Sequence, residues 1–267
     1  MSDARPAKAQ PTGGDGGSGD GSSPEKILAA VFGHERFRGG QERAISAVLS
    51  GRDTLAVMPT GGGKSLCYQI PALMKGPGEG ITLVVCPLVS LMKDQVESLK
   101  RRLSDPGAVA ALHSKVPTRE RREIGRGALS GAVRVLFVAP ERLRSLQFCV
   151  FLKRAAGGRG VSLLVVDEAH CISEWGHSFR PEYLFLGPVI ADLASSRRTV
   201  GAANASPRVP ILALTATADP TVREDIVALL GMEDPEEVVT GFDRPNLSYA
   251  VRKTHLHAGG ARLPLVL

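Results

Sequence analysis

The sequence predicts an α/β domain in which helices cover both faces of a mainly parallel sheet, a three-layer arrangement. Short apolar segments with the character of strands alternate with helical patterns across residues 53–240. Such alternation is typical of parallel βαβ units. One apolar segment leads into a glycine-rich turn and another into a pair of acidic residues. Parallel sheets bind ligands at the carboxyl ends of their strands, where both features stand.

The elements before the sheet follow from composition and from helix signals. Residues 1–22 are rich in Gly, Ser, Asp, Ala and Pro and have almost no large apolar side chain. They cannot offset their ordering entropy by burial, so we expect a disordered tail. Ser23, followed by a proline, predicts a capped helix that ends at Gly33. A second helix is predicted from Gln41 to Leu49, closing at Gly51.

The sheet and its helices are predicted from apolar runs and their spacing. The predicted strands are 54–58, 81–86, 109–113, 133–138, 161–166 and 209–214. The predicted helices lie near 64–74, 90–103, 118–129, 141–154, 181–195 and 220–230. Residues 196–208 have the composition of an exposed loop.

Composition narrows the class of protein. Of the 267 residues 43% are hydrophobic, enough to bury a core in one large or two small domains. The net charge of +6 is compatible with an anionic partner but does not identify it. The four cysteines form no C-x-x-C pair and are expected to be reduced core thiols rather than a disulfide frame or zinc site. No apolar run has the length of a membrane span, and the N-terminus lacks a secretory signal, so we expect an intracellular protein.

The glycine-rich turn has the residue types of a nucleotide-phosphate cradle. It consists of Thr60, Gly61, Gly62, Gly63, Lys64 and Ser65. The glycines let successive backbone N–H groups turn toward phosphate oxygens, and the following helix directs its positive end at the same anion. Lys64 adds a full charge, and the Ser65 hydroxyl can hold Mg²⁺. A glycine-rich turn with a chance lysine is the plain alternative.

The acidic pair supplies the second half of this site. Asp167 and Glu168 follow the apolar run 161–166, which has the pattern of a strand buried on both faces. Because the carboxyl ends of parallel strands share one edge, the pair can converge with the glycine turn. Asp167 would hold Mg²⁺, directly or through water, and Glu168 would orient and deprotonate the attacking water. Two carboxylates on an ordinary surface loop are the alternative.

Motifs along residues 25–252 resemble a known family. The sequence Asp-Glu-Ala-His after a buried strand, with the glycine turn upstream, resembles a superfamily 2 helicase. Residues 171–183 are similar to the aromatic-rich loop of the RecQ family of DNA helicases, and 37–41 resemble its adenine-reading segment, with Gly39 where the family commonly has Pro. Further RecQ blocks match in order at 86–95, 139–143, 213–218 and 242–247.

The resemblance implies a RecA-like P-loop NTPase fold, of which residues 23–240 would be the first lobe. Residues 241–267 would be a linker and the truncated start of a second lobe. The motifs of that second lobe, including its arginine finger, do not occur in the sequence. We therefore expect an incomplete helicase, or a second chain that supplies the missing lobe.

The resemblance also assigns binding and coupling roles. Arg38 and Gln41 would contact the adenine of ATP, although Gln41 could instead be a solvent-facing residue at a helix start. His170, Thr215 and Thr217 would couple the nucleotide site to the DNA path. Without the resemblance, the two threonines are a strand end with a hydroxyl turn.

The aromatic-rich loop would contact DNA through Trp175, Phe179 and Arg180. Bases can stack on aromatic faces for roughly 1–3 kcal/mol each, and arginine adds phosphate contacts. The alternative is packing, the usual place of a lone tryptophan. Basic clusters at 100–102 and 119–126 are better explained as solvated helix faces than as a second phosphate-binding surface.

The function implied is ATP hydrolysis coupled to single-stranded DNA binding in a 3′-to-5′ DNA helicase, with roles in DNA repair and recombination. Lys64 and Glu168 would be its catalytic residues, ATP and Mg²⁺ its cofactors and DNA its partner. A module that binds ATP and DNA without unwinding is the second hypothesis. An RNA helicase is a third, which the tryptophan-bearing loop disfavours.

Overall fold

Seven parallel strands form one sheet in the order β3-β4-β2-β5-β6-β1-β7 in the computed structural model. The structure describes residues 23–176, 178–196 and 208–241. The expected tail at 1–22, most of the expected loop at 196–208, and nearly all of the expected linker at 241–267 lie outside the described residues. The division into domains stays a prediction.

The strands have the following bounds: β1 Thr54–Val57, β2 Ile81–Val85, β3 Val109–Leu112, β4 Val135–Val138, β5 Val161–Val166, β6 Ile211–Thr215 and β7 Glu236–Val239. The α-helices are α1 Pro24–Phe32, α2 Gln41–Leu49, α3 Leu66–Met74, α4 Val89–Lys100, α5 Thr118–Ser130, α6 Leu146–Arg154, α7 Leu186–Ser196 and α8 Pro220–Leu230. Short 3₁₀ helices cover Pro106–Ala108, Pro140–Arg144, Ala156–Gly158, Ala169–Ile172 and Pro181–Phe185.

The six predicted strands are confirmed, and β7 was missed. Among the described strands β7 pairs only with β1, and of its four residues only Val238 is buried. An edge strand that begins with two glutamates lacks the continuous apolar run by which buried strands are recognised.

Two of the predicted helices start as 3₁₀ turns. The helix predicted near 141–154 begins as Pro140–Arg144, and α6 starts only after Ser145, whose side chain accepts a hydrogen bond from Phe148 N. The helix predicted near 181–195 likewise begins as Pro181–Phe185 before α7. The first helix is capped as predicted, with Ser23 at its start and Gly33 at φ +69° after its end.

The sheet separates two apolar layers, which confirms the three-layer α/β prediction. Helices α1 to α4 contribute buried side chains to one layer and α5 to α8 to the other. Alternate residues of a strand enter opposite layers, as Leu55 and Ala56 do in β1. The four cysteines are buried and unpaired, as expected of core thiols.

The strand order positions the two predicted halves of the site. β6 lies between β1, which leads into the glycine turn, and β5, which leads into the acidic pair. Neighbouring strands lie about 4.8 Å apart, so the two loops leave the same edge about 10 Å from each other. Thr215, the last residue of β6, stands between them.

A buried carboxylate joins β1 to its two neighbours, β6 and β7, at the opposite edge of the sheet. Asp53, just before β1, accepts hydrogen bonds from Ile211 N (2.8 Å), Glu233 N (2.7 Å) and Arg208 Nη1 (2.8 Å). Its main-chain oxygen accepts from Glu236 N (2.8 Å) at the start of β7. Asp53 thereby joins β1 to β6 and β7 by both its side chain and its backbone.

We expect Asp53→Ala to lower the free energy of unfolding of the full chain by about 3 kcal/mol. The substitution removes the acceptor of the buried Ile211 N–H, of the Glu233 N–H and of one Arg208 nitrogen. Asp53→Asn keeps one acceptor oxygen and should lose less. Urea titration followed by circular dichroism measures both, and a loss below about 0.5 kcal/mol for alanine would contradict this role.

Candidate nucleotide site and aromatic loop

The described structure brings the glycine turn, the acidic pair and Thr215 to one edge of the sheet. Met58 N, at the start of the turn, donates to Thr215 O (3.0 Å), and Asp167 N, after β5, donates to Val85 O (2.9 Å). Burial raises the pKa of Asp167, and the positive charge of Lys64 lies near enough to act against that rise. The predicted convergence of Lys64 with the acidic pair therefore has geometric support, and the surface-loop alternative for the carboxylates is wrong.

The glycine turn requires glycine at more than one position. Gly61 and Gly63 have φ of +81° and +74°, in the left-handed region that other residues rarely adopt. A Cβ on Gly62 would lie 2.9 Å from Pro59 O. The ammonium of Lys64 donates to Met58 O (3.0 Å) and Pro59 O (3.4 Å), which holds it over the turn.

Gln41 packs directly on the glycine turn. Its amide nitrogen donates to Gly62 O (2.9 Å) and Gly63 O (3.3 Å), and its amide oxygen accepts from Arg38 N (2.9 Å). A Cβ on Gly63 would lie 2.3 Å from the Gln41 amide nitrogen. Gln41 is only 2% exposed, so the alternative of a solvent-facing residue is wrong. Its contact with adenine stays a prediction.

A cavity of about 130 Å³ opens beside this amide. Arg38, Gln41 and the three glycines line it together with His34, Arg36 and Leu66. His34 and Arg36 were not predicted to line this site. They stand just before the segment 37–41. Only their position next to that segment could have indicated them.

The segment 37–41 contains a glycine, Gly39, in a backbone conformation that proline cannot adopt. Gly39 has φ +50°, whereas the proline ring fixes φ near −65°. The next residue, Gly40, lies against the edge strand, because a Cβ on it would fall 2.1 Å from Val238 Cγ1. The segment 37–41 thus packs closely against β7 as well as against the glycine turn.

Asp167 and Glu168 have different environments. Burial raises the pKa of Asp167 to about 6, and the charge of Glu168 adds to the shift. The Glu168 N–H, which donates to Asp167 Oδ1 (3.0 Å), and the Lys64 charge act against it. Glu168 adopts φ +51° and ψ +46°, a strained backbone of the kind that clusters at functional sites. Its side chain is 30% exposed and therefore accessible.

A chain of polar contacts leads from Glu168 to the end of β6. His170 Nδ1 lies 3.4 Å from Glu168 Oε2 and 2.8 Å from Thr215 Oγ1. The Thr215 hydroxyl donates to Thr217 O (3.0 Å) and accepts from Thr217 N (3.3 Å). The imidazole of His170 and the hydroxyl of Thr215 thus share one hydrogen bond. The two threonines do form a hydroxyl turn, and that turn is also bonded to the acidic motif.

The aromatic loop, residues 173–183, exposes its tryptophan. Trp175 is 78% exposed, so the packing alternative is wrong for this side chain. Phe179 and Arg180 are half-buried, and Arg180 Nη1 donates to Pro87 O (3.3 Å). A cavity of about 320 Å³ lies beside Trp175, with Thr217 also on its wall. DNA contact by these three residues stays a prediction.

The aromatic loop contacts the acidic motif through two residues that were not predicted to do so. The buried Tyr183 donates from its hydroxyl to Asp167 O (2.9 Å), and burial raises its pKa well above 10, so the proton stays in place. A Cβ on Gly176 would lie 2.4 Å from His170 O. Both residues stand in the segment that resembles RecQ, but nothing in the sequence marks them as anchors.

The basic clusters lie on exposed helix faces. Arg119 is 93% exposed and pairs with Glu123 (3.2 Å), and Arg101 is 72% exposed with Glu97 4.0 Å away. Such i,i+4 pairs are typical of solvated helices. Within the described ranges no three His, Cys, Asp or Glu side chains are grouped so as to hold a metal ion. None of the described helices combines the length and apolar character of a membrane span.

Comparison with known proteins agrees with this arrangement. A family model described as DEAD/DEAH box helicase matches residues 38–226. The ATP-dependent DNA helicase RecQ of Pasteurella multocida is 43% identical over 225 residues, which is 84% of this chain and 32% of that protein. The RecQ helicase of Bacillus subtilis is 43% identical over 231 residues, 86% of this chain and 35% of that protein. The chain thus spans about a third of the length of the curated relatives it matches.

A solved structure supports the fold. The crystal structure of the DUF1998 helicase MrfA bound to DNA matches with a TM-score of 0.63 and 19% identity, over 82% of this chain and 28% of that one. The predicted RecA-like fold and the RecQ resemblance are confirmed. The chain belongs to the DEAD/DEAH box helicase family, and within that family it resembles the RecQ helicases.

Proposed function

We propose that this chain provides the ATP-binding and ATP-hydrolysing lobe of a 3′-to-5′ DNA helicase of RecQ type. One observation carries the proposal: Glu168 stands beside Asp167, which lies within the field of Lys64, and Glu168 is linked through His170 to the hydroxyl turn of Thr215. A nucleotide site is thereby connected to the base of an exposed aromatic loop. Single-stranded DNA is the proposed partner, inside the cell.

The phosphates of ATP would lie on the glycine turn. Its N–H groups and the Lys64 ammonium provide positive charge, and α3 begins directly after Ser65. Gln41 and Arg38 would contact the adenine. The Gln41 oxygen keeps a second lone pair beside its bond from Arg38 N, and this lone pair can accept from the adenine amino group.

Mg²⁺ fits the oxygen donors that this site provides. A serine hydroxyl and a carboxylate, Ser65 and Asp167, are hard ligands of the type that Mg²⁺ takes together with phosphate oxygens. When bound, the ion would neutralise charge that develops on the phosphates. Asp167 must be ionised to hold it, and its pKa near 6 keeps most of the carboxylate charged at neutral pH.

Glu168 would orient the attacking water and accept its proton. Its exposed carboxylate can reach solvent, while His170 contacts both this carboxylate and Thr215. A shift of the Thr215–Thr217 turn would therefore move the hydrogen bond that steadies His170 beside Glu168. We propose that DNA bound at Trp175 acts on hydrolysis along this path.

Strand separation is proposed only with a second RecA-like lobe, from the same protein or from another chain. An arginine finger, the usual contribution of a second element to such sites, is worth about 10³–10⁵ in rate. The second candidate function is a module that binds ATP and DNA without unwinding.

Glu168→Gln should bind Mg·ATP as the parent does and hydrolyse it at least about 100-fold more slowly, because it loses a general base. ATPase activity of the full chain, with and without single-stranded DNA, measures turnover, and a fluorescent ATP analogue measures affinity. Glu174→Gln is the matched control, since Glu174 is exposed on the nearby loop. Retained turnover in Glu168→Gln would reassign the base, and an inactive parent would favour the binding module.

Trp175→Ala should weaken binding of an oligo(dT) strand about tenfold and leave nucleotide affinity unchanged, because a stacking face is lost. Fluorescence anisotropy of a labelled oligonucleotide measures the affinity. Phe185→Ala, which removes a partly exposed ring that Arg144 covers elsewhere, is the control. Equal binding by parent and Trp175→Ala would remove the loop from the DNA site.

Asp167→Asn should stabilise the nucleotide-free chain at pH 7.5 by about 2 kcal/mol. The folded-state pKa of about 6 lies above the ordinary 3.8, so the folded protein retains a proton that the unfolded chain has released between these values. The stability of the parent therefore falls as pH rises through this window, and the variant lacks this loss. Urea titrations from pH 4 to 8 should show the difference vanishing toward pH 4. A difference that grows in acid would contradict the assignment.

A further inference from the structure

The turn that carries Trp175 is held by a side chain outside the aromatic loop. Ser173 is fully buried, and its hydroxyl donates to Asp225 Oδ2 at 2.6 Å. The Ser173 hydroxyl oxygen accepts from Trp175 N (3.2 Å), and Ser173 O accepts from Gly176 N (3.0 Å). Asp225 therefore fixes the residue around which the turn 173–176 closes.

Asp225 stands on a helix that is itself firmly placed. It lies in α8, between a start capped by Asp219, which accepts from Val222 N (2.9 Å), and an end closed by Gly231 at φ +63°. The next residue, Ile226, is fully buried. The helix packs against the 3₁₀ helix Ala169–Ile172, which contains His170. The carboxylate thus offers Ser173 a fixed acceptor.

The Ser173–Asp225 hydrogen bond affects the orientation of the exposed Trp175 side chain as well as local packing. A ring that is 78% exposed has few contacts of its own to hold it, so its direction depends on the turn beneath it. A loose turn would lose conformational entropy when a ligand binds, and that loss weakens binding. The Ser173–Asp225 bond removes that freedom before any ligand arrives.

We propose that Asp225 is a positioning residue that holds the turn 173–176, through Ser173, so that Trp175 is presented to single-stranded DNA. The proposal rests on the proposed function in assigning DNA as the ligand of Trp175. The same bond attaches the DNA-facing turn to α8, which follows the Thr215–Thr217 turn along the chain. Asp225 touches neither nucleotide nor DNA in this scheme and acts through Ser173.

The single tryptophan of the sequence makes the turn directly observable, because all indole fluorescence comes from Trp175. In the free full-length chain, Asp225→Ala should lower the fluorescence anisotropy of Trp175 and raise its quenching by acrylamide. Asp225→Asn keeps an oxygen for Ser173 and should restore values close to the parent. Glu224→Ala is the matched control, since Glu224 is the exposed neighbour on the same helix.

DNA affinity supplies the second readout. Asp225→Ala should weaken oligo(dT) binding about tenfold, as expected for loss of one hydrogen bond, with Asp225→Asn and Glu224→Ala near the parent. Ser173→Ala should cause a similar loss, and the double variant should lose no more than either single one. Additive losses would contradict the coupling of the two residues.

The possible results distinguish a failure of the positioning role of Asp225 from a failure of the proposed DNA binding by Trp175. If Asp225→Ala leaves both the anisotropy of Trp175 and the oligo(dT) affinity as in the parent, Asp225 does not position the turn. If the asparagine variant fails as badly as the alanine variant, the acceptor oxygen is not what matters, and the inference fails too. If anisotropy falls as expected but the parent itself does not bind oligo(dT), the positioning role stands and the DNA assignment of Trp175 is overturned.

Discussion

The parallel pairing of β6 with both β1 and β5 is the constraint on which the candidate site depends. It places two loops that are about 100 residues apart in the chain at a spacing of about two strands, or 10 Å. A triphosphate with its metal ion can span such a gap. Asp53 secures β1 to β6 at the other edge, so the register that aligns the site is fixed at both ends of these strands.

The candidate site contains several features that lower the stability of the folded chain, and favourable packing elsewhere must offset them. Glu168 has a left-handed backbone, Asp167 is an acid whose burial opposes its charge, and two carboxylates are adjacent. Each of these lowers stability, and each is compatible with a role in handling a metal ion and a water molecule. The strands around them are fully buried, which provides the stability that the site lacks.

The fold class and the convergence of the glycine turn with the acidic pair could be predicted from the sequence because each depends on local pattern. Apolar runs mark buried strands, and glycine followed by Lys-Ser marks a phosphate turn. β7 could not be predicted, since an edge strand with one buried residue has no such run. The roles of Tyr183 and Asp225 could not be predicted either. Each depends on one hydrogen bond to a partner 16 or 52 residues away, and periodicity carries no information about such bonds.

The glycine turn shows a further limit of sequence reasoning. The resemblance predicts that Gln41 contacts adenine. The sequence does not indicate that its amide also donates hydrogen bonds to Gly62 O and Gly63 O. The contact needs Gly63 for steric reasons, because a side chain there would displace the amide. The identity of one residue is thus explained by another 22 positions earlier.

The burial of every cysteine has a practical consequence for studying motion in this protein. Burial raises the pKa of Cys67 and Cys86 to about 12 and that of Cys171 to about 11, and it raises that of Cys149 as well. The thiolate is the reactive form, so all four should react slowly with maleimides near neutral pH. A cysteine introduced on the surface could then be labelled selectively in the otherwise native sequence. Dyes for distance measurements by energy transfer could be attached without first removing the natural thiols.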